Sequence, residues 1–168
     1  DAATKTATTK TGVTPVTVIK KIGIIGAGQM GNGIAHVVAL SGYDVAISDL
    51  KREAYDKAMA IMQKNMTRQV TKGLIKDADM QTALKRVSYA PDFAAFGDTD
   101  LVIEAATEDE AVKRKIFAAL CPHLKKSAMV ASNTSSISIT RLAASTDRPE
   151  RFIGIHFMNP VPLMQLVE

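Results

Sequence analysis

The segment Lys21-Ile-Gly-Ile-Ile-Gly-Ala-Gly-Gln-Met-Gly31, followed by Asp49, constrains the fold of this chain more than any other feature. The apolar run from Ile19 to Ile25 suits a strand buried on both faces. Gly26, Gly28 and Gly31 then make the spacing G-x-G-x-x-G, and each has a separate task. Gly26 permits a tight turn, Gly28 lets backbone approach a pyrophosphate, and Gly31 lets the next helix pack close to the strand. That helix offers unpaired N–H groups and the positive end of its dipole to phosphate, so Ala27, Gln29 and Met30 belong to the same binding turn. Tyr43 to Ser48 reads as a second strand that ends in Asp49. A carboxylate there accepts hydrogen bonds from both hydroxyls of an adenosine ribose and repels a 2′-phosphate, which favours NAD over NADP. A lone glycine motif is weak; strand, turn, helix, second strand and terminal acid in that order are specific.

The 168 residues suffice for one domain with a real core. Cys121 is the only cysteine, so there is no disulfide framework, which fits a reducing compartment, and Cys121 itself reads as a small buried hydrophobe. No apolar run approaches the ~20 residues of a membrane span, so no membrane partner is expected. The net charge is +4, with Lys5, Lys10 and Lys20 against Asp1 at the start. Basic residues are otherwise dispersed and aromatics scarce, which argues against nucleic acid as a partner. Residues 1–17, rich in Thr, Ala and Lys, are expected to form a flexible tail ahead of a domain over 18–168. The tail has no Arg and no apolar stretch, so it resembles neither a transit nor a signal peptide. At the other end Leu166-Val167-Glu168 falls inside an expected strand, so further protein is expected beyond it.

Strands are expected at 19–25, 43–48, 86–89, 100–105, 128–132, 151–157 and 163–168. Helices are expected at 29–41, 51–72, 77–85, 109–120 and 137–145. The alternation implies an α/β fold of the doubly wound, Rossmann type, with a mostly parallel sheet and helices on both faces. In the second helix Ala58, Met62, Met66 and Val70 form one apolar stripe, while Lys57, Lys64, Arg68 and Lys72 are exposed, and Gly73 ends it. This long helix and its successor are expected to form an arm that projects from the sheet.

Three further clusters fall at strand carboxyl ends, where open α/β sheets bind ligands. Leu101-Val-Ile-Glu-Ala-Ala-Thr-Glu-Asp109 places Glu108 and Lys113 just past one end. Their bland roles are helix N-terminal acid and surface lysine. Val130-Ala-Ser-Asn-Thr-Ser-Ser136 crowds small polar residues at the next end. Helix capping accounts for Ser136 or Ser138 but does not need the whole run, which leaves a hydroxyl for a ligand. Ser135 lacks the G-x-S-x-G elbow of a hydrolase nucleophile. Last come His156, Asn159 and Glu168 within Phe152-Ile-Gly-Ile-His-Phe-Met-Asn-Pro160-Val-Pro-Leu-Met-Gln-Leu-Val-Glu168. A turn between two short strands would return Glu168 beside His156, giving a proton acceptor with a carboxylate to orient it. His36 and His123 read as structural. No other His or Cys stands at zinc spacing, so no metal is expected.

Taken together, GIIGAGQMGNGIAH (23–36), VIEAA (102–106), ASNTSS (131–136), RPERF (148–152) and HFMNPVPLMQLVE (156–168) resemble the NAD-binding domain of the 3-hydroxyacyl-CoA dehydrogenases. The likeness lies in the branch with the bacterial 3-hydroxybutyryl-CoA dehydrogenases, and covers nearly everything after residue 18. It implies NAD as cofactor and an (S)-3-hydroxyacyl-CoA, short-chain in this branch, as substrate. His156 is then the general base, Glu168 its partner, Ser135 and Asn159 bind the reacting oxygens, and Glu108 and Lys113 contact the cofactor. Lys72 matches a lysine that in relatives meets the CoA phosphates. The resemblance further implies a C-terminal helical domain, absent from this chain, that builds a homodimer and closes the cleft. It points to the bacterial cytoplasm, with the mitochondrial matrix as the alternative. Two other functions stay open: a different NAD(P)-linked hydroxyacid dehydrogenase sharing only the fold, and an NAD-binding module without activity of its own.

Overall fold

Six parallel strands in the order β3-β2-β1-β4-β5-β6 carry the rest of the molecule. The computed structural model describes residues 18–168, and the expected tail, 1–17, lies outside the described residues. β1 is Lys21–Ile25, β2 Asp44–Ser48, β3 Val87–Tyr89, β4 Leu101–Glu104, β5 Met129–Ser132 and β6 Phe152–Gly154. The helices are α1 Gln29–Leu40, α2 Arg52–Thr71, α3 Asp77–Lys85, α4 Glu110–Leu120 and α5 Ile139–Ala144. The chain steps outward from β1 to β3, returns to the centre, and steps outward the other way from β4 to β6. The reversal between β1 and β4 opens a crevice beyond their carboxyl ends, the ligand position of such sheets.

Successive strand residues face opposite sides, and here both sides are covered. Ile22, Ile24, Val45, Ile47, Leu101 and Ile103 join one core with Ile34, Val38, Met62 and Met66 of α1 and α2. Ile25, Ala46, Val102 and Val130 join a second core with Phe117 and Leu120 of α4 and Leu142 of α5. Two-sided burial is why these strands read as unbroken apolar runs.

Three expectations are corrected. The arm of α2 and α3 does not project: Tyr55, Ala58, Met62, Met66, Met80 and Ala83 are all buried in the first core beside α1. Burying one such methionine is worth about 1.5–3 kcal/mol, far more than the exposed Arg52–Asp56 pair on α2. Gly73, at φ 70°, does end α2, and Leu74 N–H closes onto the Gln69 carbonyl. The strand expected at 151–157 is regular only over Phe152–Gly154. The strand expected at 163–168 reduces to one antiparallel bridge between Phe157 and Val167, because Pro160 and Pro162 lack N–H groups and the chain turns over them.

Candidate active site and cofactor crevice

The glycine turn has the shape its spacing predicts. Gly26 has φ 102°, its N–H donates to the Ser48 carbonyl at 2.8 Å, and a Cβ there would lie 2.6 Å from the Ala105 carbonyl oxygen. A Cβ on Gly31 would lie 1.8 Å from the Gly26 oxygen, so α1 can approach β1 only with glycine there. A Cβ on Gly28 would meet nothing within 4 Å, which leaves open space at the start of α1. No side chain among the described residues caps that start, which leaves its first N–H groups to an anion. Asp49 already takes part in the turn: Oδ2 accepts the Ala27 N–H at 2.9 Å and Oδ1 accepts the Lys51 N–H at 3.4 Å. The sequence pointed to Asp49 as a ligand group only; its grip on the turn comes from the tertiary fold.

A cavity of about 300 Å³ lies between this turn and the ends of β4 and β5, bordered by Gly28, Gln29, Met30, Ala106, Glu108 and Lys113 among others. Glu108 does not cap α4; Asp109 does, accepting the Val112 N–H at 2.9 Å. Glu108 instead holds the loop after β5, accepting from Thr134 Oγ1 at 2.7 Å, Ser136 Oγ at 3.2 Å and Ser135 N–H at 3.4 Å. Ser135 is exposed, and Glu108 engages it through its backbone, not its hydroxyl. Ser138 caps α5. Lys113 does not take the bland role of a surface lysine: it is 1% exposed, with its ammonium 2.5 Å from Glu104 Oε1. The N-terminal turns of α4 lie over the end of β4, where a buried carboxylate requires a partner.

His156 follows β6 by two residues. Its Nδ1 is 3.2 Å from Glu168 Oε2, and the backbones of the two residues exchange hydrogen bonds of 2.7 and 3.0 Å. Asn133 fastens the same loop, its carboxamide oxygen accepting the Phe157 N–H at 2.8 Å. Asn159, before a cis Pro160, accepts a hydrogen bond from Gln29 Nε2 at 3.1 Å, so the turn of β1 and the loop after β6 touch. A wider cleft of about 610 Å³ runs from Asp49 and Gly28 to Asn159–Pro162, with Lys57, Ile61 and Asn65 of α2 as its opposite wall. The sequence marked Lys57 only as an exposed helix residue and did not mark Asn65, because only the packing of α2 on α1 brings them to the cleft. Lys72 borders a separate recess of about 240 Å³ with His36, Arg68, Gln69 and Leu163.

The family described as "3-hydroxyacyl-CoA dehydrogenase, NAD binding domain" matches residues 21–168. The chain belongs to the 3-hydroxyacyl-CoA dehydrogenase family. It is 60% identical over 151 residues to the 3-hydroxybutyryl-CoA dehydrogenase of Bradyrhizobium diazoefficiens, covering 90% of this chain and 52% of that protein. With the 3-hydroxybutyryl-CoA dehydrogenase of Clostridioides difficile the identity is 43%, over 88% of this chain and 53% of the other. The crystal structure of (S)-3-hydroxybutyryl-CoA dehydrogenase from Ralstonia eutropha superposes with a TM-score of 0.87 at 44% identity, over 89% of this chain and 53% of that one. The chain thus spans about half the length of the relatives it matches.

This member of the 3-hydroxyacyl-CoA dehydrogenase family carries an NAD-binding domain, and its residues fit that cofactor. Open space at Gly28 and the uncapped start of α1 suit the pyrophosphate. Asp49 keeps lone pairs for a ribose beyond the two N–H groups it holds. Of the cofactor residues named from sequence, Gly28, Gln29, Met30, Glu108 and Lys113 border the 300 Å³ cavity. Ala27, Gly28, Gln29 and Asp49 border the wider cleft, while Gly26 and Gly31 shape the turn behind them.

Proposed function

We propose that the whole protein oxidises an (S)-3-hydroxyacyl-CoA, of short chain such as 3-hydroxybutyryl-CoA, to the 3-ketoacyl-CoA. The observation that carries this is the His156–Glu168 pair, set beside the loop of Asn159 that touches the cofactor turn through Gln29. Bound in the crevice, NAD would supply the hydride acceptor for C3. His156 takes the proton of the C3 hydroxyl through Nε2, and the Glu168 carboxylate at Nδ1 holds the ring and stabilises its charged form. Ser135 hydrogen-bonds the reacting oxygen, and the Asn159 amide helps hold the substrate in line. In the reverse direction protonated His156 acts as the acid.

The acyl-CoA would lie at the Asn159–Pro162 end of the wider cleft, away from the cofactor residue Asp49, and extend to the separate recess at the end of α2, where Lys72 would face its phosphates. Ordinary lysine exposure explains Lys64 equally well, but Lys64 borders neither cavity. Leu163, Met164, Leu166 and Val167 are exposed apolar residues on the segment that leads to Glu168, and we assign them to contact with the helical domain and dimer that the family resemblance implies. The test is the appearance of NADH when the whole protein meets NAD and (S)-3-hydroxybutyryl-CoA. NAD binding without turnover of this or longer hydroxyacyl-CoA substrates would refute the dehydrogenase and favour a binding module.

A further inference from the structure

Glu104 has no part in the chemistry above, yet it is the most connected buried charge at the crevice. It ends β4 and is fully buried. Its Oε1 accepts from the Lys113 ammonium at 2.5 Å and from Ser132 Oγ at 2.7 Å, and Oε2 accepts the Ala106 N–H at 2.8 Å. One carboxylate therefore joins β4, the loop after it, α4 and β5. From Ser132 the network continues in two directions. Its hydroxyl accepts the Thr134 N–H at 3.4 Å, and Thr134 in turn holds Glu108. Its carbonyl accepts the N–H of Ile155, the residue before His156.

A buried ion pair is a weak source of stability, because apolar residues of similar volume often serve as well. What such a pair does supply is a fixed position for its donors. Lys113 has three N–H donors and spends one on Glu104, and the residue borders the 300 Å³ cavity beside Glu108. Asp49, at the end of β2, serves the adenosine half of the crevice on the far side of the glycine turn.

We propose that Glu104 is the positioning residue of the nicotinamide half of the crevice. It holds the Lys113 ammonium at the cavity wall, and it ties the loop of Glu108 and Ser135 to the strand that leads to His156. The inference rests on assigning the smaller cavity to the nicotinamide ribose. Its consequence is selective: loss of Glu104 weakens a ligand that fills both halves and spares one that fills only the adenosine half.

The experiment measures NADH and ADP binding to this chain by calorimetry, for the unaltered protein, Glu104→Gln and Ser132→Ala, with thermal melts of each. Glu104→Gln leaves an unpaired ammonium, and NADH affinity should fall about tenfold while ADP stays within about twofold. Ser132→Ala keeps the ion pair and removes one hydroxyl, so an NADH-specific loss of about threefold is expected. Equal weakening of both ligands in both variants would overturn the proposal, since it would mean support of the fold alone. Unchanged NADH affinity in both would overturn it too. If Glu104→Gln does not fold, Ser132→Ala decides by the same contrast. Equal affinity of the unaltered chain for NADH and ADP would remove the assignment of the smaller cavity, and with it the proposal, while leaving the hydroxyacyl-CoA assay to stand or fall separately.

Discussion

His156 and Glu168, twelve residues apart, are joined at two levels: Nδ1 lies 3.2 Å from Oε2, and each backbone N–H donates to the other's carbonyl. Two residues that exchange both backbone bonds form a hydrogen-bonded antiparallel pair with neighbouring side chains. The carboxylate thus meets Nδ1, and the proposed mechanism assigns Nε2 to the substrate proton.

In the whole protein His156→Ala should lower kcat by about 10²–10⁴ and leave NADH affinity unchanged. Glu168→Gln keeps the shape and loses the charge that stabilises the imidazolium, so kcat should fall by less, again without change in cofactor binding. Steady-state kinetics with acetoacetyl-CoA and NADH, beside NADH titration, check both. A His156→Ala protein with near-normal kcat would place the base elsewhere.

Asp49 should make this domain prefer NADH to NADPH by at least about tenfold, or about 1.4 kcal/mol. Because its carboxylate also holds the Ala27 N–H, two variants separate its tasks. Asp49→Asn keeps an acceptor for Ala27 and should narrow the preference with a modest loss of NADH affinity. Asp49→Ala frees the turn as well and should weaken both cofactors. Fluorescence titration with each cofactor decides, and equal affinity in the unaltered chain would remove the role.

Asp100, at the opposite end of the sheet, accepts the N–H groups of Lys20 and Lys21 at 2.8 and 3.0 Å and pairs with Lys125 at 2.5 Å. Burial pushes its carboxyl up, but the Lys125 ammonium and the two N–H groups outweigh this and hold it at about 2, against an ordinary 3.8. A depressed folded-state value means stabilisation that is complete above pH 3.8 and lost as pH falls toward 2. Asp100→Asn should cost about 2 kcal/mol at neutral pH, and the gap to the unaltered chain should shrink at about pH 2.5. Urea unfolding at both pH values measures it; a gap independent of pH would show that the charge is irrelevant.

His36 is buried with Nε2 2.8 Å from Gln69 Oε1 and, among the described residues, Nδ1 without a partner. Burial lowers its pKa below 6.5, and the Gln69 bond offsets this only in part. The unfolded chain therefore takes up its proton first, so stability should hold above pH 6.5 and decline below it, by less than about 1.4 kcal/mol per pH unit. His36→Gln should flatten that decline. An identical pH slope in the variant, followed by thermal melting from pH 7.5 to about 5, would assign the decline to another group.

What the sequence determined by itself lies where the constraint is local. Gly26 needs a positive φ, Gly31 needs the absence of a Cβ, and unbroken runs such as Leu101–Ile103 need cover on both faces; all of these are properties of neighbouring residues. The return of Glu168 to His156 was also legible, because a short turn over Pro160 and Pro162 leaves the chain few other courses. Periodicity marked the stripe of Met62 and Met66 as apolar but not what covers it, so the expected arm became a layer packed on α1. The sequence left Lys113 between a surface lysine and a cofactor contact because its partner Glu104 sits on another element, and Ser132, which shares that carboxylate, is 28 residues from Glu104. Whether a charge is solvated or buried depends on which elements the topology stacks above it. That is decided by the crossover from β3 back to β4 at the centre of the sheet, and so the cofactor crevice took its outline from the sequence while its buried supports came only from the tertiary structure.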